Sequence, residues 1–392
     1  MPSSPLTQEQ IDTRRSLRRR RHARHRRLAV AVALGTLATL IVGVVVGRSG
    51  ESRSAVERTT TGETQPVRRP AKVVTEAPVR GRLGSGKPVT LAFGGDIHFE
   101  SPIRERLAAS PSSVLAPIAP ILRRADLAVV NLETAVTERG TPATKAFTFR
   151  APASAFEALK AGGVDVANVA NNHGMDYGPA GLRDTLASGR RAGVPLVGAG
   201  WNDGQAYAPY SVTVRGQRIA VIGATQVLDD HLISEWSAGP DKLGLASAKD
   251  EPRLVRAVRE ARRASDTVVV FLHWGLELST CPTGAQTSLA RKLVAAGADV
   301  VAGSHAHVLQ GGGRLGKALV AYGLGNFVFY AFRELTSQTG VLEVTVTGRR
   351  IDGYRWVPAR ISGGIPYPVT GSAKQSAVAS WQSLRACTGL RP

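Results

Sequence analysis

Cysteine is almost absent from the sequence. Cys281 and Cys387 are the two in 392 residues, too few for a zinc site built on thiolates. An oxidising compartment would permit them to pair, although two cysteines do not by themselves establish a disulfide. Charge is missing from residues 28–46, LAVAVALGTLATLIVGVVV, and aromatic side chains are missing from residues 48–87. The first absence excludes a solvated stretch. As a helix this run would span about 28 Å, close to the roughly 30 Å hydrocarbon core of a bilayer, and it is expected to be a transmembrane helix. The second absence excludes a packed core. Residues 47–87, rich in Arg, Thr, Glu, Pro and Gly, are expected to be a disordered linker with a mean span of about 35 Å. Internal repeats are absent as well.

Acidic residues are also few: 30 Asp+Glu stand against 50 Lys+Arg, a formal net charge of +20. Residues 1–87 hold 18 of the basic and 6 of the acidic side chains, so +12 of that charge lies ahead of the part with a foldable composition. Much of it is in TRRSLRRRRHARHRR, residues 13–27, within a basic tail spanning 1–27. Nine arginines directly before the apolar run place the N-terminus in the cytoplasm and the rest of the chain across the membrane. The junction with an apolar run argues against an RNA-binding arm, and no nucleic-acid partner is expected. A cleaved signal peptide shares these features, and TRRSLR at 13–18 resembles a twin-arginine export signal. No clear A-x-A site follows the long run, which favours a retained single-pass anchor in the cell membrane. Under either alternative the C-terminal domain is extracytoplasmic.

From Val89 onward, apolar runs alternate with amphipathic stretches. Strands are predicted at 89–95, 127–133, 164–170, 195–200, 218–224, 267–274, 299–304 and 318–325, and an antiparallel pair over 340–362 turns around 348–353. Helices are predicted in SAFEALKAGG, GLRDTLASGRRAG and DEPRLVRAVREARRA, the last with Leu254, Val255, Val258 and Ala261 on one face and arginines on its solvated side. This alternation describes an α/β domain whose sheets are covered by helices, assigned to residues 88–365, with a C-terminal extension at 366–392.

Of the eight histidines, His22 and His25 sit in the basic tail and His231 in a loop. The other five, His98, His173, His273, His305 and His307, all fall at or just beyond a predicted strand end, where α/β sheets converge on a ligand crevice. If the backbone stays extended through GSHAH, His305 and His307 point to one side. Oxygen ligands occur at the same places: Asp96 in GGDIH, Glu133 closing VVNLE and Asn172 beside His173. Histidine, carboxylate and amide oxygen without thiolate suit Mn²⁺, Fe²⁺ or Zn²⁺, and the set suffices for two divalent ions sharing a bridging carboxylate.

In FGGDI (93–97), VVNLET (129–134), NNHGMDYG (171–178), HWGLE (273–277), GSHAHVLQ (303–310) and GLGNFVF (323–329), the chain resembles the metallophosphoesterase (calcineurin-like) superfamily. Within it, the chain resembles the bacterial capsule-synthesis, poly-gamma-glutamate CapA family. The resemblance implies a sandwich of two β-sheets flanked by helices, with a two-metal site at one edge. Asp96, His98 and His307 would hold one ion, Asn172, His273 and His305 the other, and Glu133 would bridge them. The superfamily usually has Asp at the bridging position and Pro between the paired histidines, and this chain has Glu133 and Ala306. His173 would be the acid for a leaving oxygen, oriented by Asp176. Glu277 would contact a ligand or face the substrate, and Asn326 would bond the free nitrogen of a ligand histidine. The expected activity is a metal-dependent phosphoesterase-like hydrolase in anionic capsule-polymer synthesis or export; a non-catalytic polymer-handling component is the alternative. Expected partners are an anionic polymer or envelope phosphoester and the polymer synthesis and export proteins.

Overall fold

The computed structural model describes residues 84–331 and 333–392. The basic tail, the apolar run and the linker up to residue 83 lie outside the described residues, and among those described no helix is long and apolar enough to cross a membrane. Two main sheets are built from β1 (Val89–Ile97), β2 (Leu127–Leu132), β3 (Val166–Asn168), β4 (Leu196–Val197), β5 (Tyr210–Val214), β6 (Gln217–Thr225), β7 (Thr267–His273), β8 (Val300–Ser304), β9 (Gly312–Leu315), β10 (Ala318–Ala321), β11 (Asn326–Val328), β12 (Gln338–Thr347), β13 (Arg350–Ser362) and β14 (Ile365–Pro368). The longer helices are α1 (Ser154–Gly162), α2 (Gly178–Ala192), α3 (Glu251–Ala264), α4 (Gly284–Ala296) and α5 (Gly371–Ser383).

The first sheet runs β14-β13-β12-β1-β2-β3-β4, with β11 also pairing to β1, and the second runs β9-β10-β8-β7-β6-β5. β1 to β4 are mutually parallel, as are β6, β7, β8 and β10, while β12 to β14 form the antiparallel extension. Parallel strands covered on both faces read as continuous apolar runs, and TVVVFLH of β7 is buried throughout. Alternation within each strand decides which layer a side chain joins. Leu91, Phe93, Val129 and Val166 meet Val221, Val269, Phe271 and Ala302 between the sheets. On the outer faces, Ala92 and Val130 pack with Phe156, Leu159 and Leu182 of α1 and α2, while Ile222, Val270 and Leu272 pack with Leu254, Val258 and Leu289 of α3 and α4. Each such burial stabilises by about 1.5–3 kcal/mol. The result is the expected two-sheet sandwich with helices outside.

Local signals set the helix ends. α1 and α2 stop where Gly163 and Gly193 take φ of +85° and +68°, and α3 starts where the Asp250 side chain accepts the Arg253 N–H at 3.1 Å. The strand predicted at 164–170 is shorter, Val166–Asn168, because the Asn168 carboxamide turns back to Ala170 and the chain leaves the sheet. α4 was not legible in the apolar periodicity, although a capping box between Thr283 and Gln286 marks its start. Residues 366–392 are not separate from the domain. β14 pairs with β13, Trp381 of α5 stacks on Trp356 at 5.2 Å, and Cys387 is bonded to Cys281 at 2.11 Å.

One close approach links two sequence motifs to the site. Asp96 N–H donates to the Gly325 carbonyl at 3.0 Å, and a Cβ on the preceding Gly95 would lie 1.8 Å from that same oxygen. FGGDI and GLGNF therefore meet at a contact where only a hydrogen fits. Gly95→Ala is expected to destabilise the domain by at least the ~1–3 kcal/mol typical of overpacking, read as a lowered thermal midpoint.

Candidate metal centre

The carboxyl ends of β1, β2, β7 and β8 converge on one buried cluster. Asp96 sits in β1, Glu133 directly follows β2, His273 ends β7, and His305 and His307 follow β8. Ligand atoms of Glu133, His273 and His305 lie within 4.8 Å of one another, as do those of Asp96, Glu133 and His307. Glu133 belongs to both groups. Asn172 joins the first, its Oδ1 standing 2.7 Å from His273 Nε2.

GSHAH does not stay extended. β8 ends at Ser304, and His305 and His307 adopt φ of +96° and +57°, a region that non-glycine residues enter only when held there. His305 N–H donates to Asp96 Oδ2 at 3.0 Å, which fixes the turn, and the two rings still approach with centroids 5.8 Å apart. The two histidines thus converge by a strained loop rather than by strand alternation.

Ring nitrogens are oriented by neighbours. Asn326 Nδ2 donates to the Thr336 carbonyl, so its Oδ1 faces His307 Nδ1 at 2.8 Å and accepts from it, which leaves Nε2 as the ring nitrogen not engaged by Asn326. His273 Nδ1 stands 3.1 Å from both Ser304 Oγ and Asn131 Nδ2; the tautomer that donates to Ser304 frees Nε2, which lies 3.5 Å from Glu133 and 3.1 Å from His305 Nδ1. Burial, then the neighbouring imidazoles, holds His273 well below the usual histidine range and His305 at about 3, so both are neutral and able to ligate.

The structure does not bring His98 into either group. Its Nδ1 accepts the Glu100 N–H at 2.9 Å, its Nε2 faces the Tyr330 N–H at 3.3 Å, and its ring stacks on Phe149 at 4.7 Å. His173 stacks on the other side of the same Phe149 at 3.9 Å. Its Nδ1 meets Asp176 Oδ2 at 2.5 Å and its Nε2 lies 3.8 Å from Glu133. Lys145 forms an ion pair with Asp176 at 3.0 Å, yet desolvation still lifts the Asp176 carboxyl to about 7. Glu277 is exposed, and its carboxylate is within 4.8 Å of ligand nitrogens of His305 and His307.

Sequence reasoning gave no role to Asn131, Asn168 or Asn171. Asn131 donates to Asp96 Oδ1 at 2.8 Å, while Asn168 and Asn171 donate to Asn131 Oδ1 at 2.9 and 3.2 Å. Asparagine inside otherwise apolar strand runs, as in VVNLE and VANVANN, was the available signal. Lys145 and Phe149 come from a loop with no pattern that would have pointed to the site.

Both carboxylate oxygens of Glu133 are buried without a hydrogen-bond partner among the described residues. An unpaired carboxylate of this kind is costly unless a cation sits beside it, so the residues fit a divalent ion. Burial first, and then the Asp96 charge, pushes the Glu133 carboxyl well above its ordinary range. The folded metal-free protein therefore retains a proton that the unfolded chain releases above about pH 4.5. That contribution to stability is complete below the unfolded pKa and is lost as pH rises through the raised one. In chelator-stripped protein, Glu133→Gln is accordingly expected to raise the thermal midpoint near pH 8 and leave it little changed near pH 4. Added divalent metal should raise the midpoint of the wild type far more than that of the variant.

Residues 90–331 match the family described as Bacterial capsule synthesis protein PGA_cap. The chain is 29% identical over 310 residues to the capsule biosynthesis protein CapA of Bacillus anthracis, covering 77% of this chain and 74% of that one. It is 30% identical over 297 residues to the PGA biosynthesis protein CapA of Bacillus subtilis (strain 168), covering 74% and 76%. Among solved structures, a hypothetical protein from Thermus thermophilus aligns over 70% of this chain and 100% of its own, with a TM-score of 0.44 and 16% identity. The 5'-nucleotidase from Candida albicans aligns over 75% and 56%, with a TM-score of 0.41 and 11% identity. The family match begins within β1 and runs past the last of the loops that line the centre, and the chain belongs to the bacterial capsule synthesis protein (PGA_cap) family.

Proposed function

We propose that this chain is a membrane-anchored, metal-dependent hydrolase of the cell envelope that serves the synthesis or export of an anionic, polyglutamate-type capsule polymer, cleaving a phosphoester or related bond. The observation that carries the reading is the unpartnered, fully buried Glu133 carboxylate lying between two sets of ligand atoms. The capsule and PGA biosynthesis names of the Bacillus relatives supply the polymer context. The basic tail ahead of an apolar run supports the anchor with the domain outside the cytoplasm, and the Cys281–Cys387 disulfide suits an oxidising compartment.

Asp96, Glu133 and His307 would hold one divalent ion, and Glu133, His273, His305 and Asn172 a second, of Mn, Fe or Zn type. When bound, such ions supply positive charge to an oxyanion and acidify water. The chain's own residues then divide the remaining work. Asn326 accepts from His307 Nδ1, and Ser304 would accept from His273 Nδ1 in the tautomer that leaves Nε2 free. Phe149 clamps the His173 ring, and Asp176 fixes its Nδ1 and so aims Nε2 toward Glu133. With Asp176 near 7 and His173 pushed below its usual range by burial, the pair holds one proton that it hands to a leaving oxygen.

Purified full-length protein is expected to carry about two equivalents of divalent metal and to hydrolyse an aryl phosphodiester with added Mn²⁺. His173→Ala should lower turnover by roughly 10²–10⁴-fold at unchanged metal content. Turnover at the wild-type rate in that variant would remove the proton-transfer role.

A second reading, polymer handling without turnover, is favoured by a cleft of ≈ 810 Å³ lined by Arg314, Lys317, Arg349 and Arg350, with Asp299 the one acidic residue among its described walls. It opens beside the start of β8, roughly 17 Å along that strand from the metal centre. Reversing charge with Arg349→Glu and Arg350→Glu is expected to weaken salt-sensitive binding of poly-γ-glutamate, measured by calorimetry, and to leave metal content unaltered. Binding that the double variant does not change would remove this reading.

A further inference from the structure

The loop after β7 folds back toward the site that β7 itself supplies. Gly275 takes φ of +97°, against Gln286, and the chain then passes through Leu276, Glu277 and Leu278. The two leucines are 62% and 50% exposed, so the loop is not held in place by burying them. It is held by polar and covalent ties. Leu278, at φ of +62°, donates its N–H to the carbonyl of Ala306, the residue between the two centre histidines, at 2.8 Å. Gln310 Nε2 donates to the carbonyls of Ser279 and Cys281 at 2.9 and 3.2 Å. The disulfide from Cys281 reaches Cys387, 106 residues away.

These ties set the Glu277 carboxylate against His305 and His307. His305 belongs to the ligand group with Glu133 and His273, and His307 to the group with Asp96 and Glu133. Glu133 joins the two groups from the buried side, whereas the exposed Glu277 carboxylate lies within 4.8 Å of a ligand nitrogen from one member of each. A backbone held in the left-handed region at Leu278, His305 and His307 together is costly, of order 1–3 kcal/mol per residue, unless the arrangement it produces is itself stabilised.

We infer that Glu277 is an outer metal ligand spanning the two ion positions opposite Glu133, and that the Cys281–Cys387 cross-link keeps it within reach. The inference rests on the metal-centre reading above and adds a carboxylate that the six matched motifs give no ligand role. It also gives the C-terminal segment a part in the site: α5 and the residues after it anchor, through Cys387, the loop that carries a ligand.

The test is calorimetric titration of chelator-stripped full-length protein with Mn²⁺. Glu277→Gln keeps size and shape and removes the charge of an exposed side chain, so the thermal midpoint of the stripped protein should not fall. Its Mn²⁺ affinity is expected to drop by at least on the order of 10-fold. Wild-type protein reduced with a phosphine, and the Cys281→Ser/Cys387→Ser variant, should both shift in the same direction by a smaller factor. Unchanged affinity in Glu277→Gln, with the wild type binding and His305→Ala/His307→Ala not binding, overturns the ligand assignment and leaves the centre intact. A wild type that binds no Mn²⁺ overturns the metal-centre reading instead. Full affinity after reduction, together with a weakened Glu277→Gln, overturns the role of the cross-link alone.

Discussion

Everything at this site is arranged around a carboxylate sealed from water. Glu133 is fully buried, and neither of its oxygens has a hydrogen-bond partner among the described residues. Holding it ionised in such a place costs several kcal/mol. His273 and His305 do not offset that cost, because burial keeps them neutral. The nearby ammonium of Lys145 is already paired with Asp176. The ring nitrogens of His273 and His305 and the amide oxygen of Asn172 stand beside it.

The rigidity of this arrangement comes from polar residues placed level with one another in neighbouring strands. Asp96 is in register with Asn131, and Asn131 with Asn168. Their side chains form a continuous chain of hydrogen bonds across β1, β2 and β3, ending on the candidate ligand Asp96. Asn131 uses both ends of its carboxamide in this chain, so Asp96 is presented in one orientation. A buried polar chain of this kind stabilises only when complete. Its presence in a layer otherwise made of Val, Ala and Leu sets the level at which the sheet stops being core and becomes a site.

Much of this was readable from the sequence, for reasons that can be traced to particular residues. The apolar runs ending in Asp96, Glu133 and His273 are strands, because a strand covered on both faces must be apolar throughout and can change character only at its end. The loops were harder. His305 and His307 were expected to project together from an extended chain; they meet through two left-handed residues, a conformation stabilised by an Asp96 carboxylate 209 positions away. His98, which shares a motif with Asp96, is drawn off by two backbone amides and an aromatic stack that no local pattern announces. α4 and the return of residues 366–392 onto the sheet depend on tertiary packing, with weak apolar periodicity of their own.

The bond from His305 N–H to Asp96 Oδ2 joins β8 of one sheet to β1 of the other. Each of the two ligand groups that include Glu133 draws on both halves of the sandwich: Glu133 and Asp96 arrive with the first sheet, and His273, His305 and His307 with the second. Those two groups are consequently complete only where the two layers dock.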